Sequence, residues 1–87
     1  MGYHIEFTRP AQKEFAKLDP VVKQRISDAV VELEKNPRPS GCVALKGYKS
    51  TYRIRIGKFR VIYEVQDKVL LILVIRIAKR EAVYNDF

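Results

Sequence analysis

The residues best suited to chemistry fall in one stretch, TYRIRIGKFRVIY at positions 51–63, where four of thirteen side chains are cationic and none is acidic. On a strand, successive side chains alternate, so Tyr52, Ile54 and Ile56 face one way while Thr51, Arg53 and Arg55 face the other. Past a turn at Gly57 and Lys58, Phe59 and Val61 continue the apolar face and Arg60 the cationic one. Three guanidiniums on one strand surface repel one another, a cost that a bound anion relieves. Each offers a planar donor fork matched to phosphate. Lys46, Lys49 and Lys58 flank the stretch and suit contacts to a nucleic-acid backbone. Near the end of the chain, Arg80 and Tyr84 in AKREAVY stand four residues apart, on one face if the segment is helical. A tyrosine there can stack on a base while arginines hold the adjoining phosphates, or it can pack the tail onto the sheet.

The distribution of charge points the same way. The chain has 87 residues and a formal net charge of +7. Residues 35–63 hold eight bases and no acid, whereas the segments on either side are close to neutral. A solubilising surface would intersperse acids among its bases; a concentrated field attracts phosphate backbones, acidic protein segments or anionic lipid.

Composition narrows the classes. Apolar residues make up 47% of the chain, which argues for a packed fold. The length suits one domain, taken as residues 1–87. The longest apolar run, Val69 to Ile75, is far short of the roughly 20 residues a membrane span needs, so no membrane association is expected. One cysteine, Cys42, excludes an internal disulfide and suits a reducing cytoplasm. One histidine and one cysteine cannot build a protein-only tetrahedral zinc site, and no cofactor or metal is expected.

The elements that must position these residues follow from periodicity. GYHIEFTR alternates as a half-buried strand. Pro10 opens a helix with Ala11, Phe15 and Leu18 on one stripe, and Asp19 and Pro20 start a second with Val22, Ile26, Ala29, Val30 and Leu33 inward. NPRPSG ends it, and an irregular segment is expected from Asn36 to about Lys46. STYRIRI and FRVIYEVQ form a hairpin in which Gly57 suits a II′ turn. VLLILVIRI, apolar on both faces, reads as a central strand beside which the first strand pairs. The expected fold is α+β: a two-helix N-terminal hairpin on one face of a four-stranded, mostly antiparallel sheet, with AKREAVYNDF as a short C-terminal helix or tail.

The motifs LKGYKSTYRIRIGKFRVIYEV and VIRIAKREAVY, in this order of elements, resemble the RelE family of toxins, and the resemblance covers essentially the whole chain. It implies a ribosome-dependent endoribonuclease, the toxin of a type II toxin–antitoxin pair, that cleaves mRNA in the ribosomal A site by attack of a 2′-OH on the next phosphodiester. It also implies a cognate acidic, RelB-like antitoxin that wraps the toxin in a hetero-oligomer and covers or displaces its C-terminal segment. By position, Arg53 and Arg55 match the two basic strand residues, Arg60 the hairpin arginine, Arg80 the arginine after the last strand and Tyr84 the C-terminal tyrosine. Lys46, Lys49 and Lys58 then suit ribosomal RNA.

The two strand positions depart from the family, which often has lysine there. A crowded lysine can lose its proton; arginine, with a pKa of about 12.5 or higher, cannot act as the base. Catalysis is therefore expected to be electrostatic and positional, with Arg60 and Arg80 stabilising the transition state and Arg53 and Arg55 gripping phosphates. Tyr84 orients the base and is the available proton acceptor, and His4, remote in sequence, reads as structural. Two other readings stand beside this one. A ParE-like inhibitor of DNA gyrase would share the scaffold, though the short helices and the pairing of Arg80 with Tyr84 favour the nuclease. A basic module that docks an acidic partner without catalysis would need only the charge.

Overall fold

The computed structural model describes residues 2–79. Strand β1 (His4–Phe7) leads into helix α1 (Arg9–Ala16) and helix α2 (Pro20–Leu33), followed by strands β2 (Val43–Ala44), β3 (Thr51–Ile56) and β4 (Phe59–Gln66). A single 3-10 turn, Asp67–Val69, precedes β5 (Leu71–Lys79).

Both helices begin where their caps dictate. The Thr8 hydroxyl accepts from the Ala11 N–H at 3.3 Å and the Asp19 carboxylate from the Val22 N–H at 3.0 Å, with Pro10 and Pro20 in the first turns. Ala11, Ile26, Val30 and Leu33 are buried against the sheet, and Phe15, Leu18, Val22 and Ala29 pack around them. The sheet side of this core is Ile54, Val61, Tyr63, Val65, Ile72, Val74 and Ile77, the inward positions that alternation assigns to β3 and β4 and, as far as Val74, to β5.

The strands run in the order β1-β5-β4-β3-β2. β1 lies beside β5, as the sequence implies, and parallel to it; the other pairings are antiparallel. The sheet has five strands rather than the expected four because two residues inside the supposedly irregular segment, Val43 and Ala44, pair with Arg53 and Tyr52. An exposed edge strand of two residues is too short to show a period. The β3–β4 turn has positive φ at Gly57 (61°) and not at Lys58, the signature of the II′ class. On β5, Ile62 opposes Arg76 but Tyr63 opposes Val74, so Ile75 is an extra residue that bulges the strand. The C-terminal segment, expected as a helix or tail, lies outside the described residues.

Candidate active site

The hairpin places its arginines as alternation requires. Arg53 and Arg55 stand on the face of β3 away from the helices, opposite Ile62 and Arg60 of β4 respectively. Directly opposed residues have Cβ atoms about 4.5–5.5 Å apart, so Arg55 and Arg60 begin side by side, and like charges in that relation are destabilising. Arg55 is exposed, Arg53 half-buried between Val43 and Ile62, and Arg60 only 5% exposed. The Nε of Arg53 and the Nε and Nη1 of Arg60 are buried atoms. Beside Arg60 lies a small apolar cluster of Ile62 and Ala78 with Leu45 and Ile75, on the side of the sheet remote from the helices. This patch, which sequence reading did not foresee, shields Arg60 from water and strengthens any interaction it makes with an anion.

The same face changes character along the strands. At the far end from the Gly57 turn, Glu64 opposes Thr51 and accepts from the Gln66 amide at 3.1 Å. On this face the strands thus carry paired arginines toward the hairpin end and an acid toward the other.

The three lysines do not form one group. Lys58 lies in the β3–β4 turn, on the rim of a groove of about 320 Å³ lined by Val22, Arg25, Ile56 and Phe59. Lys46 and Lys49 are exposed in the turn before β3, at the other end of a six-residue strand and so roughly 20 Å away. Arg53 and Arg55 lie between. His4 is distant: it pairs with Leu71 at the opposite end of β5 from Ala78, the partner of Arg60, and its Nε2 is 3.4 Å from Glu6. Arg80 and Tyr84 lie outside the described residues; Lys79, just before them, pairs with Phe59 at the hairpin turn.

Two arginines that sequence reading did not single out are held by carboxylates. Arg38 donates from Nη2 and Nη1 to Asp67 at 2.8 and 3.3 Å and from Nε to the Tyr52 hydroxyl at 2.9 Å, with its guanidinium 5.3 Å from the Tyr52 ring centroid. The Tyr3 hydroxyl donates to Asp67 at 2.7 Å. The Arg38 bonds, then that of Tyr3, hold the Asp67 carboxyl below its ordinary range. Nearby, Tyr63 is fully buried and donates to the Pro37 carbonyl at 2.7 Å, and burial pushes its phenol well above its ordinary value. Together these bonds fasten the segment after α2 to the end of the sheet. Arg76 meets Glu14 of α1 in the same manner, with Nη2 2.7 Å and Nε 2.9 Å from Oε2. The partners lie 29 and 62 residues apart, beyond the reach of local pattern. Glu14 did leave a trace: it interrupts the apolar stripe of Ala11, Phe15 and Leu18, as Arg76 interrupts the apolar run of β5.

Comparison with known proteins agrees with this architecture. The model of the ParE toxin of the type II toxin–antitoxin system, parDE, matches residues 5–84. A putative RelE-like toxin protein of Escherichia coli is 37% identical over 90 residues, covering 98% of this chain and 93% of that protein. The mRNA interferase toxin RelE of Escherichia coli is 31% identical over 83 residues, covering 93% and 86%. Among solved structures, a chain of the intact E. coli RelBE toxin–antitoxin complex matches with a TM-score of 0.82 and 30% identity over 91% of this chain and 98% of that one. The archaeal RelE–RelB complex from Pyrococcus horikoshii gives 0.82 and 27% over 93% and 98%. A family model spanning nearly the whole chain, joined to RelE relatives that align along most of their length, agrees with the basic hairpin motif: the protein belongs to the RelE family of type II toxin–antitoxin toxins.

Proposed function

We propose that this chain is the toxin of a type II toxin–antitoxin pair and cleaves mRNA in the ribosomal A site, in the cytoplasm. The observation that carries the reading is the cross-strand pair of Arg55 and Arg60, with Arg53 beside it, on the sheet face opposite α1 and α2. A rigid strand pair that sets arginine against arginine is poorly suited to stability and well suited to a polyanion. Relatives named mRNA interferase are 31% identical to this chain over 93% of its length and 86% of theirs, and relatives solved with RelB point to a RelB-like acidic antitoxin as partner.

In the reaction the 2′-oxygen forms a bond to phosphorus, the bond from phosphorus to the 5′-oxygen breaks, and the leaving oxygen gains a proton from water. Arg60, buried beside Ala78 and Ile62, stabilises the charge that gathers on the phosphoryl oxygens, aided by Arg80. Donors of this kind are worth roughly 2.7–4 kcal/mol each. Arg53 and Arg55 hold the flanking phosphates, Tyr84 orients the base and, as the phenolate that cationic neighbours favour, takes the 2′-OH proton, and the ribosome supplies alignment of the strand. Lys46 and Lys49 contact ribosomal RNA at one end of β3 and Lys58 at the other. Neither strand arginine can supply the base at neutral pH.

A ribosome-coupled cleavage assay tests the assignment. Wild type cuts at A-site codons, and Arg60→Ala and Tyr84→Phe each lose most of the rate; near wild-type rates for both overturn the site. Because the matching family model is that of ParE, a gyrase supercoiling assay is run alongside. Inhibition of gyrase without mRNA cleavage overturns the nuclease reading.

A further inference from the structure

β5 is nine residues long and β1 only four, and their pairing stops at Phe7 and Val74. The rest of β5 therefore needs partners on that edge, and α1 provides them. The Thr8 N–H donates to the Val74 carbonyl at 2.9 Å and the Thr8 hydroxyl to the carbonyl of the bulged Ile75 at 2.7 Å. Two residues on, Glu14 Oε1 accepts the Ile77 N–H at 2.7 Å while its Oε2 accepts both Arg76 bonds. One carboxylate, its side chain 24% exposed, thus stands where the next strand residue would have been. On the opposite edge of the same segment, Ala78 is the partner of Arg60 and Arg76 the partner of Ile62. Ile62 and Ala78 are the two buried residues of the cluster beside Arg60.

We infer that Glu14 is a positioning residue for catalysis: by fixing the end of β5 it sets where Arg60 stands relative to the scissile phosphate. This rests on the proposed cleavage reaction. Glu14 belongs to the helix layer and touches no substrate, so its effect passes through β5. Three charge-assisted bonds converge on one carboxylate, and they meet a strand already displaced by a bulge. Without them the Ile77 N–H and the Arg76 guanidinium lose the carboxylate they share, and a shift of about 1 Å at a catalytic group is enough to cost roughly 10²-fold in rate.

Single-turnover cleavage of ribosome-bound mRNA tests this with Glu14→Ala, Glu14→Gln, Arg60→Ala and the double variant Glu14→Ala/Arg60→Ala, each at a temperature where circular dichroism shows it folded. Glu14→Ala is expected to lower the cleavage rate about 10- to 100-fold while ribosome affinity stays within about twofold. In the Arg60→Ala background the same change is expected to cost less than about twofold, because both act through one group. Glu14→Gln keeps an acceptor for Ile77 and loses the ion pair, and is expected to fall only about threefold to tenfold; if Glu14→Ala does not fold, Glu14→Gln carries the same cycle. An equal factor in both backgrounds, or a wild-type rate for Glu14→Ala, overturns the inference while leaving the cleavage reading intact. Absence of cleavage by wild type overturns the reading itself, and the inference with it.

Discussion

At one end of β3, Arg38 meets both oxygens of Asp67, the Tyr52 hydroxyl and the Tyr52 ring. At the other end, Arg55 stands directly across from Arg60. Both regions use arginine on or beside the same strand: in the first the guanidinium meets a carboxylate and an aromatic ring, and in the second two arginines are direct cross-strand neighbours. Residues 35–63 contain no acid at all, so a carboxylate for the hairpin end has to come from elsewhere in the chain or from another molecule. On the proposed function, the difference separates an arginine that fastens a loop from arginines that receive the RNA backbone.

The contrast breaks most readily at Arg60. Arg60→Ala is expected to lower cleavage by about 10²–10³-fold, whereas Arg38→Ala leaves the rate of the folded protein close to wild type. Equal losses in single-turnover cleavage would erase the distinction. Salt dependence sharpens it next. Arg53→Ala and Arg55→Ala are each expected to reduce the slope of log affinity against log salt by roughly 0.7 for single-stranded RNA, while Arg38→Ala leaves the slope unchanged in a filter-binding titration.

Stability reverses the order. Arg38→Ala or Asp67→Asn is expected to lower the thermal midpoint by a few degrees, because both side chains are partly exposed and water screens the pair. Arg55→Ala, which removes a like-charge neighbour, is expected to hold or raise that midpoint in the same calorimetric scan. The smallest effect lies in acid. The Asp67 carboxyl is held down in the fold, so the unfolded chain binds its proton more readily, and the contribution is complete above the unfolded pKa of about 3.9. It is lost as the pH falls below that value through the folded one. Asp67→Asn is therefore expected to show a shallower loss of stability than wild type between pH 5 and pH 2 in denaturant titrations, with little difference in shape from pH 5 to 7.

The residues explain how much of this was legible in the sequence. Apolar spacing is a local signal, and it located α1, α2, β3, β4 and β5 and the inward positions Ile54, Val61 and Ile26. Alternation likewise separated Arg53, Arg55 and Arg60 from the core. β2 escaped because two exposed residues carry no period. The bulge at Ile75 escaped because it depends on how β5 pairs with β4, and with it went the cluster that encloses Arg60. The clamps on Arg38 and Arg76 join residues from distant parts of the chain, and nothing in the neighbourhood of Arg38 names Asp67. Lys46, Lys49 and Lys58 flank the basic stretch in sequence, and the length of β3 sets how far Lys58 stands from the other two.

The most direct measurement is codon-resolved primer extension on mRNA from programmed ribosomes treated with purified wild-type protein, Arg60→Ala and Arg38→Ala. The account expects cuts within the A-site codon for wild type and Arg38→Ala, and their near disappearance for Arg60→Ala. Cuts undiminished in Arg60→Ala, or none from the wild type, would contradict it.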